Sequence, residues 1–303
     1  MTFVPAPDPT GSDHTLPASG PTDQWRQRPV GIVGLGLIGG SLALDLQQKG
    51  VEVRALVHRA TTAERARQRG LATAVSTDPG LLAPCGMVVL ALPLDRLLAP
   101  PAELVAALPP QAVITDVGSV KAPVLACWSE LVPRFVASHP MAGTAQAGVE
   151  AGQLGLFLGR PWVATPDATT DRQALSVVRG LAEAVGADWL CCTPEAHDQA
   201  VSLISHLPVL VGAALLQAAA GADADPGLMR RLASSGFADT TRVGGGNPEL
   251  GTLMARCNRS ALLAALGNYR SELDELEALV QQSDWDGLRQ KLERCQALRP
   301  EFL

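Results

Sequence analysis

Short apolar runs and segments with helical periodicity alternate along the first two thirds of the chain. The apolar runs predict buried strands at residues 30–33, 51–57, 87–92, 112–116, 135–137, 162–164 and 188–192. Amphipathic segments predict helices between them, at residues 37–48, 61–69, 94–107 (with an interruption at two prolines), 121–131 and 171–185. This alternation predicts a mostly parallel sheet covered by helices on both faces.

The pattern changes after Thr193, where the predicted strands stop. Helices are predicted at residues 195–206, 209–220, 226–234, 249–282 and 285–298. The sequence Asn-Pro-Glu at 247–249 is a strong helix start, because it supplies a cap, a proline at the first helical position and an acid in the first turn. The helix that it opens is long, and Gly267 is the position where it could be interrupted. Long apolar-faced helices in a short C-terminal domain need a partner surface, so we expect a homodimer through this half.

Residues 1–28 differ in composition from the rest of the chain. Pro, Gly, Ser, Thr and Asp dominate this segment, which predicts a disordered tail because so few apolar groups cannot offset the entropy of ordering. The predicted organisation is therefore a tail over residues 1–28, an α/β domain over 29–193 and a helical domain over 194–303.

A glycine-rich turn follows the first predicted strand. Residues 30–40 read VGIVGLGLIGG, a GxGxxG pattern that opens a helix. Gly34 permits the tight turn, Gly36 lets the backbone approach a pyrophosphate, Gly39 allows close helix packing, and Leu37 and Ile38 complete the turn. The helix N-terminus then supplies N–H groups for phosphates. The motif and its context predict a Rossmann-type, dinucleotide-binding domain, followed by an all-helical dimerisation domain.

The end of the second predicted strand bears on which nucleotide binds. A domain that selects NAD places an acid about 20 residues beyond the glycines, to hold the ribose 2′-hydroxyl. This chain instead has His58 and Arg59 there, and a guanidinium suits a 2′-phosphate. The sequence therefore predicts NADP, with Arg59 as the selecting residue, His58 beside it and Leu92 lining the site at the end of a further strand.

Composition and charge exclude several function classes. The 303 residues are 47% hydrophobic, 18% charged and 4% aromatic, with a net charge of −6, which disfavours disorder, nucleic-acid binding and anionic membranes. Six cysteines form no CxxC pair, and no apolar run has the about 20 residues that a membrane span needs. No secretory signal is visible, so we expect a cytoplasmic protein with reduced thiols and no metal site.

Two further segments carry candidate chemistry. Ser119 lies in TDVGSVK, after a strand whose carboxyl end should face the cofactor, and His139 lies in SHPMAGT, after another short strand. Either residue alone reads as structural, with Ser119 as a helix cap. Together they fit a site beside the nicotinamide, because ligands of open α/β sheets bind outside the carboxyl ends of the strands.

Six ordered motifs between Pro29 and the chain end resemble the prephenate/arogenate dehydrogenase family, most of all the compact NADP-dependent arogenate dehydrogenases of cyanobacteria. They are VGLGLIGGSLA, DVGSVK, SHPMAGT, LFLGRPWVATP, HDQAVSLISHLP and SSGFADTTRVGGGNPELG. The resemblance implies oxidative decarboxylation of a cyclohexadienol, giving tyrosine from arogenate or 4-hydroxyphenylpyruvate from prephenate. The arogenate preference comes from the resemblance alone.

The resemblance also implies roles for four residues. His139 takes the family's position of the catalytic base, and Ser119 that of a hydroxyl beside it. Arg242 matches the arginine that binds a substrate carboxylate, and His206 matches a position that lines the pocket. Many relatives carry a second histidine where this chain has Val209, which leaves the substrate contacts of that segment open.

Two other polar residues receive no catalytic role. His197 lies nine residues before His206, which in a regular helix places the two on opposite faces, so they are not paired as metal ligands. Lys121, one of three lysines in the chain, is expected to pack or to make a structural hydrogen bond.

Three other functions stay open at this point. A β-hydroxyacid dehydrogenase would be expected to use a lysine in the helical half, where only Lys291 is present. A non-catalytic NADP-binding sensor has no need of Ser119, His139 and Arg242. A serine hydrolase built on Ser119 lacks the GxSxG elbow.

Overall fold

The first strands form one parallel sheet. The computed structural model describes residues 25–144, 146–221 and 226–302. Its six-stranded sheet contains β1 (Val30–Val33), β2 (Val53–Leu56), β3 (Ala74–Ser76), β4 (Met87–Leu90), β5 (Val113–Asp116) and β6 (Phe135–Val136). The helices between them are α1 (Leu37–Gln48), α2 (Ala60–Gln68), α3 (Leu94–Leu98), α4 (Ala102–Ala107) and α5 (Ala122–Leu131). The predicted interruption between 94 and 107 is thus present, whereas β3 was not predicted.

The strand order is β3-β2-β1-β4-β5-β6, and every neighbouring pair is parallel. Ile32 and Val89 point into the core on one face, while Val88 and Leu90 point into the core on the other. The strands are buried on both faces, which explains their continuous apolar runs. The order reverses between β1 and β4, so a crevice for a ligand opens at the carboxyl ends of these two strands.

The later strands do not extend this sheet, in contrast to the single sheet that the alternation predicts. β7 (Ser138–Pro140), β8 (Pro161–Ala164) and β9 (Asp188–Cys191) form a separate three-stranded sheet, and α6 (Arg172–Ala184) lies between the last two. β7 runs antiparallel to β8, with His139 opposite Val163. Only Ala137 separates β6 from β7, and His139 lies on β7 rather than after a strand.

Only helices follow β9 within the described residues. They are α7 (Pro194–Val201), α8 (Leu207–Ala220), α9 (Pro226–Leu232), α10 (Ser235–Thr241), α11 (Pro248–Cys257), α12 (Arg259–Gln281) and α13 (Trp285–Leu298). The fold is therefore a Rossmann-type sheet followed by an all-helical part, as the sequence predicts. The long helix predicted over 249–282 is broken at Asn258 and not at Gly267, because the Asn258 side chain bonds to α7 instead of capping its own helix.

A π-helical turn (Ser202–His206) joins α7 to α8 and makes one continuous helical stretch. By length and composition alone this stretch, Pro194–Ala220, could cross a membrane, which the sequence analysis did not anticipate. In this fold its first two turns bury His197 and Asp198 against the Rossmann part, and exposed apolar side chains such as Leu203, Ile204 and Leu215 lie further along it.

The predicted disordered tail ends earlier than residue 28. Residues 1–24 lie outside the described part of the chain, but residues 25–27 form a 3-10 turn. Trp25 is only 5% exposed and packs into the core that covers one face of the sheet. Within these last tail residues only the Trp25 ring is buried, because Gln27 and Arg28 after it are exposed.

A buried ion pair joins the two sheets beneath His139. The Lys121 ammonium group contacts Asp116 Oδ2 at the end of β5, and both side chains are fully buried. Lys121 Nζ also donates to the carbonyl oxygen of Ser138 at 2.7 Å, while Asp116 Oδ1 accepts from the Ser138 N–H at 3.1 Å. Burial lowers the pKa of Lys121, and the charges of Asp116 and Asp198 oppose that shift. Lys121 thus has the structural role that the sequence analysis expects.

We expect Lys121→Met to lower the free energy of unfolding by about 3–5 kcal/mol, because it leaves the Asp116 carboxylate buried without its cation. Lys49→Met, at the exposed end of α1, is the matched control and should change it by less than about 0.5 kcal/mol. Urea denaturation followed by circular dichroism measures both. Equal free energies of unfolding for the two variants would contradict the stabilising role of the Lys121–Asp116 ion pair.

Candidate active site

The glycine turn has the geometry that its three glycines predict. Gly34 has a φ of +98°, and a Cβ there would lie 2.3 Å from the Ala91 carbonyl oxygen. A Cβ at Gly39 would lie 2.0 Å from the Gly34 carbonyl oxygen, so α1 packs directly on the turn. A Cβ at Gly36, in contrast, meets no described heavy atom within 4 Å. Gly34 and Gly39, where a Cβ would meet backbone atoms, therefore shape the turn. Gly36 leaves one side of the turn open.

The open side of this turn fits a dinucleotide. Gly36 begins α1, and no described side chain caps the helix N-terminus, so its first N–H groups are available to a phosphate. Leu37 and Ile38 form the first turn of α1 and are partly exposed. Leu92 lies beside the turn, with Cδ2 3.6 Å from where a Gly34 Cβ would stand.

His58 and Arg59 lie at the carboxyl end of β2, next to the glycine turn. The Gly34 N–H donates to the Leu56 carbonyl oxygen at 2.9 Å, which fixes the two strand ends side by side. Both His58 and Arg59 are exposed, and Arg59 immediately precedes α2. A cation at this edge lies where the ribose of a dinucleotide on the turn would be held.

His139 belongs to a chain of three hydrogen-bonding side chains. His139 Nδ1 lies 3.0 Å from His197 Nε2, and the two rings meet edge to face at a centroid distance of 5.2 Å. His197 Nδ1 lies 2.8 Å from Asp198 Oδ1. His197 and Asp198 are buried, at 3% and 5% exposure, while His139 is half-buried. The remaining ring nitrogen of His139, Nε2, is left without a protein partner among the described residues.

His206 approaches the same cluster from the π-helical turn. It is 2% exposed, and its Nδ1 lies 3.3 Å from Asn258 Nδ2, which also donates to the Asp198 carbonyl oxygen at 2.7 Å. His206 Nε2 is buried and has no hydrogen-bond partner in the described structure. The π-helical turn changes the helical phase between 197 and 206, so the expectation that His197 and His206 lie on opposite faces is wrong.

Burial keeps the rings of His139 and His206 neutral at neutral pH. Burial is the largest cause of a pKa of His139 well below its usual 6.5, and the neighbouring charges of His197, Lys121 and His206 add to it. Burial also lowers the pKa of His206 to about 4, and the nearby charge of Asp198 opposes this. At neutral pH, His139 therefore holds a lone pair that can accept a proton.

Ser119 and Arg242 differ in how they relate to this cluster. Ser119 lies in the loop between β5 and α5, and its backbone lies close enough to His206 to act on the pKa of that ring. Arg242 follows α10 directly and is exposed. No hydrogen bond or ion pair within the described ranges joins Arg242 to the histidines. The structure thus links Ser119 to His206 through its backbone and His206 to His139 electrostatically, and it shows no such link for Arg242 among the described contacts.

Sequence reasoning missed His197, Asp198 and Asn258 as members of the site. The usable signal was the His-Asp dipeptide near the start of α7, since a carboxylate next to a histidine often orients an imidazole. No group of three or more His, Cys, Asp or Glu in the described residues is arranged to hold a metal ion.

Comparison with known proteins places the chain among prephenate dehydrogenases. Residues 42–190 match the family model for the prephenate dehydrogenase nucleotide-binding domain, and residues 193–294 match the model for the prephenate dehydrogenase dimerization domain. The cyclohexadienyl dehydrogenase of Zymomonas mobilis is 31% identical over 277 residues, which cover 89% of this chain and 94% of that protein.

Two solved structures share the fold over nearly the whole chain. The arogenate dehydrogenase of Synechocystis is 41% identical, with a TM-score of 0.76 and coverage of 91% of this chain and 100% of that one. The prephenate dehydrogenase of A. aeolicus, solved with hydroxyphenyl propionate and NAD+, is 27% identical, with a TM-score of 0.85 and coverage of 91% and 98%.

The geometry of the turn predicts that a substitution at Gly36 affects dinucleotide binding, whereas one at Gly39 affects stability. We expect Gly36→Ala to fold normally and to weaken NADPH binding roughly tenfold or more, because the new methyl group fills the open side of the turn. Gly39→Ala should lower the free energy of unfolding by about 1–3 kcal/mol through overpacking. Gly267→Ala, in the exposed middle of α12, is the control. Fluorescence titration and urea denaturation measure the two effects, and unchanged NADPH affinity in Gly36→Ala would refute the assigned site.

Proposed function

The chain belongs to the prephenate dehydrogenase family, and from this premise we propose that it is an NADP-dependent arogenate dehydrogenase, which converts L-arogenate to L-tyrosine and CO2. The observation that carries the proposal is His139: a neutral imidazole with Nε2 open, on a strand held by Lys121 from the segment that follows β5. The alternative substrate is prephenate, which would give 4-hydroxyphenylpyruvate.

Arogenate is favoured by one comparison. The Synechocystis arogenate dehydrogenase shares 41% of its residues with this chain, whereas the A. aeolicus prephenate dehydrogenase shares 27%. The two substrates differ only in an amine against a ketone on the side chain. His206 is uncharged at neutral pH and therefore favours neither substrate.

NADP is supported by the end of β2. Arg59 is exposed there, and residues 56–59 contain no carboxylate that would bind a ribose 2′-hydroxyl or repel a 2′-phosphate. The guanidinium keeps its charge at all physiological pH values and can donate two parallel hydrogen bonds to a phosphate.

The proposed reaction gives a role to each residue of the site, either in proton transfer or in lining the substrate pocket. When bound, the nicotinamide supplies the acceptor for the hydride that leaves the ring carbon of the substrate. His139 takes the proton of the 4-hydroxyl on Nε2, the nitrogen that His197 does not engage. Ser119 lies beside the same hydroxyl, and the unpartnered Nε2 of His206 lines the pocket.

Arg242 is proposed to bind a substrate carboxylate on the strength of the resemblance. Its exposed position at the end of α10 leaves the guanidinium open to an external anion. Loss of CO2 makes the ring aromatic and drives the reaction forward.

A cytoplasmic homodimer is the proposed working form. Residues 193–294 match a dimerization domain. Exposed apolar side chains recur along the helices of this region, at Leu203, Ile204, Leu215, Leu250, Leu263, Leu273 and Leu292. None of the six cysteines, all of which lie in the described ranges, forms a disulfide, which is compatible with a reducing compartment.

The activity is tested by following reduced nicotinamide absorbance with arogenate or prephenate, each with NADP+ or NAD+. We expect reduction with arogenate and NADP+, and activity that persists below pH 6.5 because the pKa of His139 is lowered. His139→Asn should reduce kcat by about 10²–10⁴-fold with NADPH affinity kept. No reduction with any of the four pairs would overturn the proposed function.

Cofactor choice is tested at Arg59. We expect Arg59→Ala to weaken NADP+ binding about 10- to 100-fold, because a charged hydrogen bond to the 2′-phosphate is lost. NAD+ binding should stay within about twofold, since that cofactor has no phosphate there. Arg65→Ala, on the exposed face of α2, is the matched control. Equal losses of affinity for NADP+ and NAD+ would show that Arg59 does not select the cofactor.

A further inference from the structure

We propose that His197 and Asp198 are positioning residues that hold His139 in the tautomer protonated on Nδ1, so that Nε2 is the nitrogen that accepts the substrate proton. The inference rests on the proposed function for the identity of that proton. The tautomer itself depends only on the hydrogen bonds described below.

Asp198 anchors the chain of hydrogen bonds. Its Oδ1 accepts from the Lys121 N–H at 2.7 Å and its Oδ2 from the Ala122 N–H at 2.9 Å, at the N-terminus of α5. The oxygens of an aspartate carboxylate can only accept hydrogen bonds. The contact between Asp198 Oδ1 and His197 Nδ1 at 2.8 Å therefore places a proton on His197 Nδ1.

The proton on His197 Nδ1 determines which ring nitrogen of His139 is protonated. A neutral imidazole protonated on Nδ1 carries a lone pair on Nε2. His197 Nε2 then accepts a hydrogen bond from His139 Nδ1, 3.0 Å away. His139 is left with its own lone pair on Nε2. A His139 protonated on Nε2 would place two lone pairs face to face across that contact.

The groups around His139 are consistent with this placement of protons on the two imidazoles. Lys121 (from the loop before α5), His197 (from α7) and His206 (from the π-helical turn) face it. In the reaction the substrate O–H bond breaks and an N–H bond forms on His139 Nε2. The resulting imidazolium keeps its Nδ1–H bond to His197, and Asp198 lies behind that ring.

The direct test is nitrogen-15 NMR of histidine side chains in the full-length protein. The chain has five histidines, so assignment by single substitution is practical; they are His14, His58, His139, His197 and His206. We expect the wild-type protein at neutral pH to show Nδ1 protonated and Nε2 unprotonated for both His139 and His197. A proton on Nε2 of His139 would overturn the proposal.

Kinetics supply a second test. His197→Leu removes the acceptor, so kcat should fall about 10- to 100-fold with little change in KM, and the NMR spectrum should show both His139 tautomers. His197→Gln retains an acceptor oxygen and should recover part of kcat. Glu195→Gln, exposed on the same helix, is the control. An unchanged kcat in His197→Leu would also overturn the proposal.

The two proposals fail in different ways. A wild-type protein that oxidises neither substrate would refute the proposed function, while its NMR spectrum would still decide the tautomer of His139.

Discussion

One carboxylate connects the two halves of this protein. Asp198 sits at the start of the helical part, yet its oxygens accept from the backbone of Lys121 and Ala122 in the Rossmann part and from the imidazole of His197. Its own carbonyl oxygen accepts from Asn258 on α12. The ion pair of Lys121 and Asp116 then fixes the backbone of β7, which carries His139. His139 is thus held from both sides by buried polar contacts, whose geometry is costly to change.

The features that the sequence predicted are those that depend on residues close together in the chain. Strand and helix alternation gave the Rossmann-type sheet, and the glycine spacing gave the turn at Gly34, Gly36 and Gly39 with its open side. His139 and Ser119 became candidates because the sequence predicts each to follow a strand, although His139 lies on β7 itself. These features depend on local periodicity and on a general rule about the carboxyl ends of parallel strands.

What the sequence did not predict depends on contacts between distant residues. The separate sheet of β7, β8 and β9 depends on the pairing of β7 with β8, which are more than 20 residues apart in the chain. His197 was set aside because regular helical geometry separates it from His206, and the π-helical turn removes that separation. The break at Asn258 follows from its bonds to α7 and not from helix propensity. Lys121 could be assigned a structural role, but its partner Asp116 was not foreseen.

The central claim is that His139 faces the reacting hydroxyl at the carboxyl ends of β1, β4 and β5. A crystal structure of the protein with NADP+ and tyrosine tests this most directly. The account predicts the tyrosine hydroxyl within hydrogen-bond distance of His139 Nε2, with the pyrophosphate on the turn at Gly36. A tyrosine hydroxyl held away from His139, with Nε2 facing solvent, would contradict it.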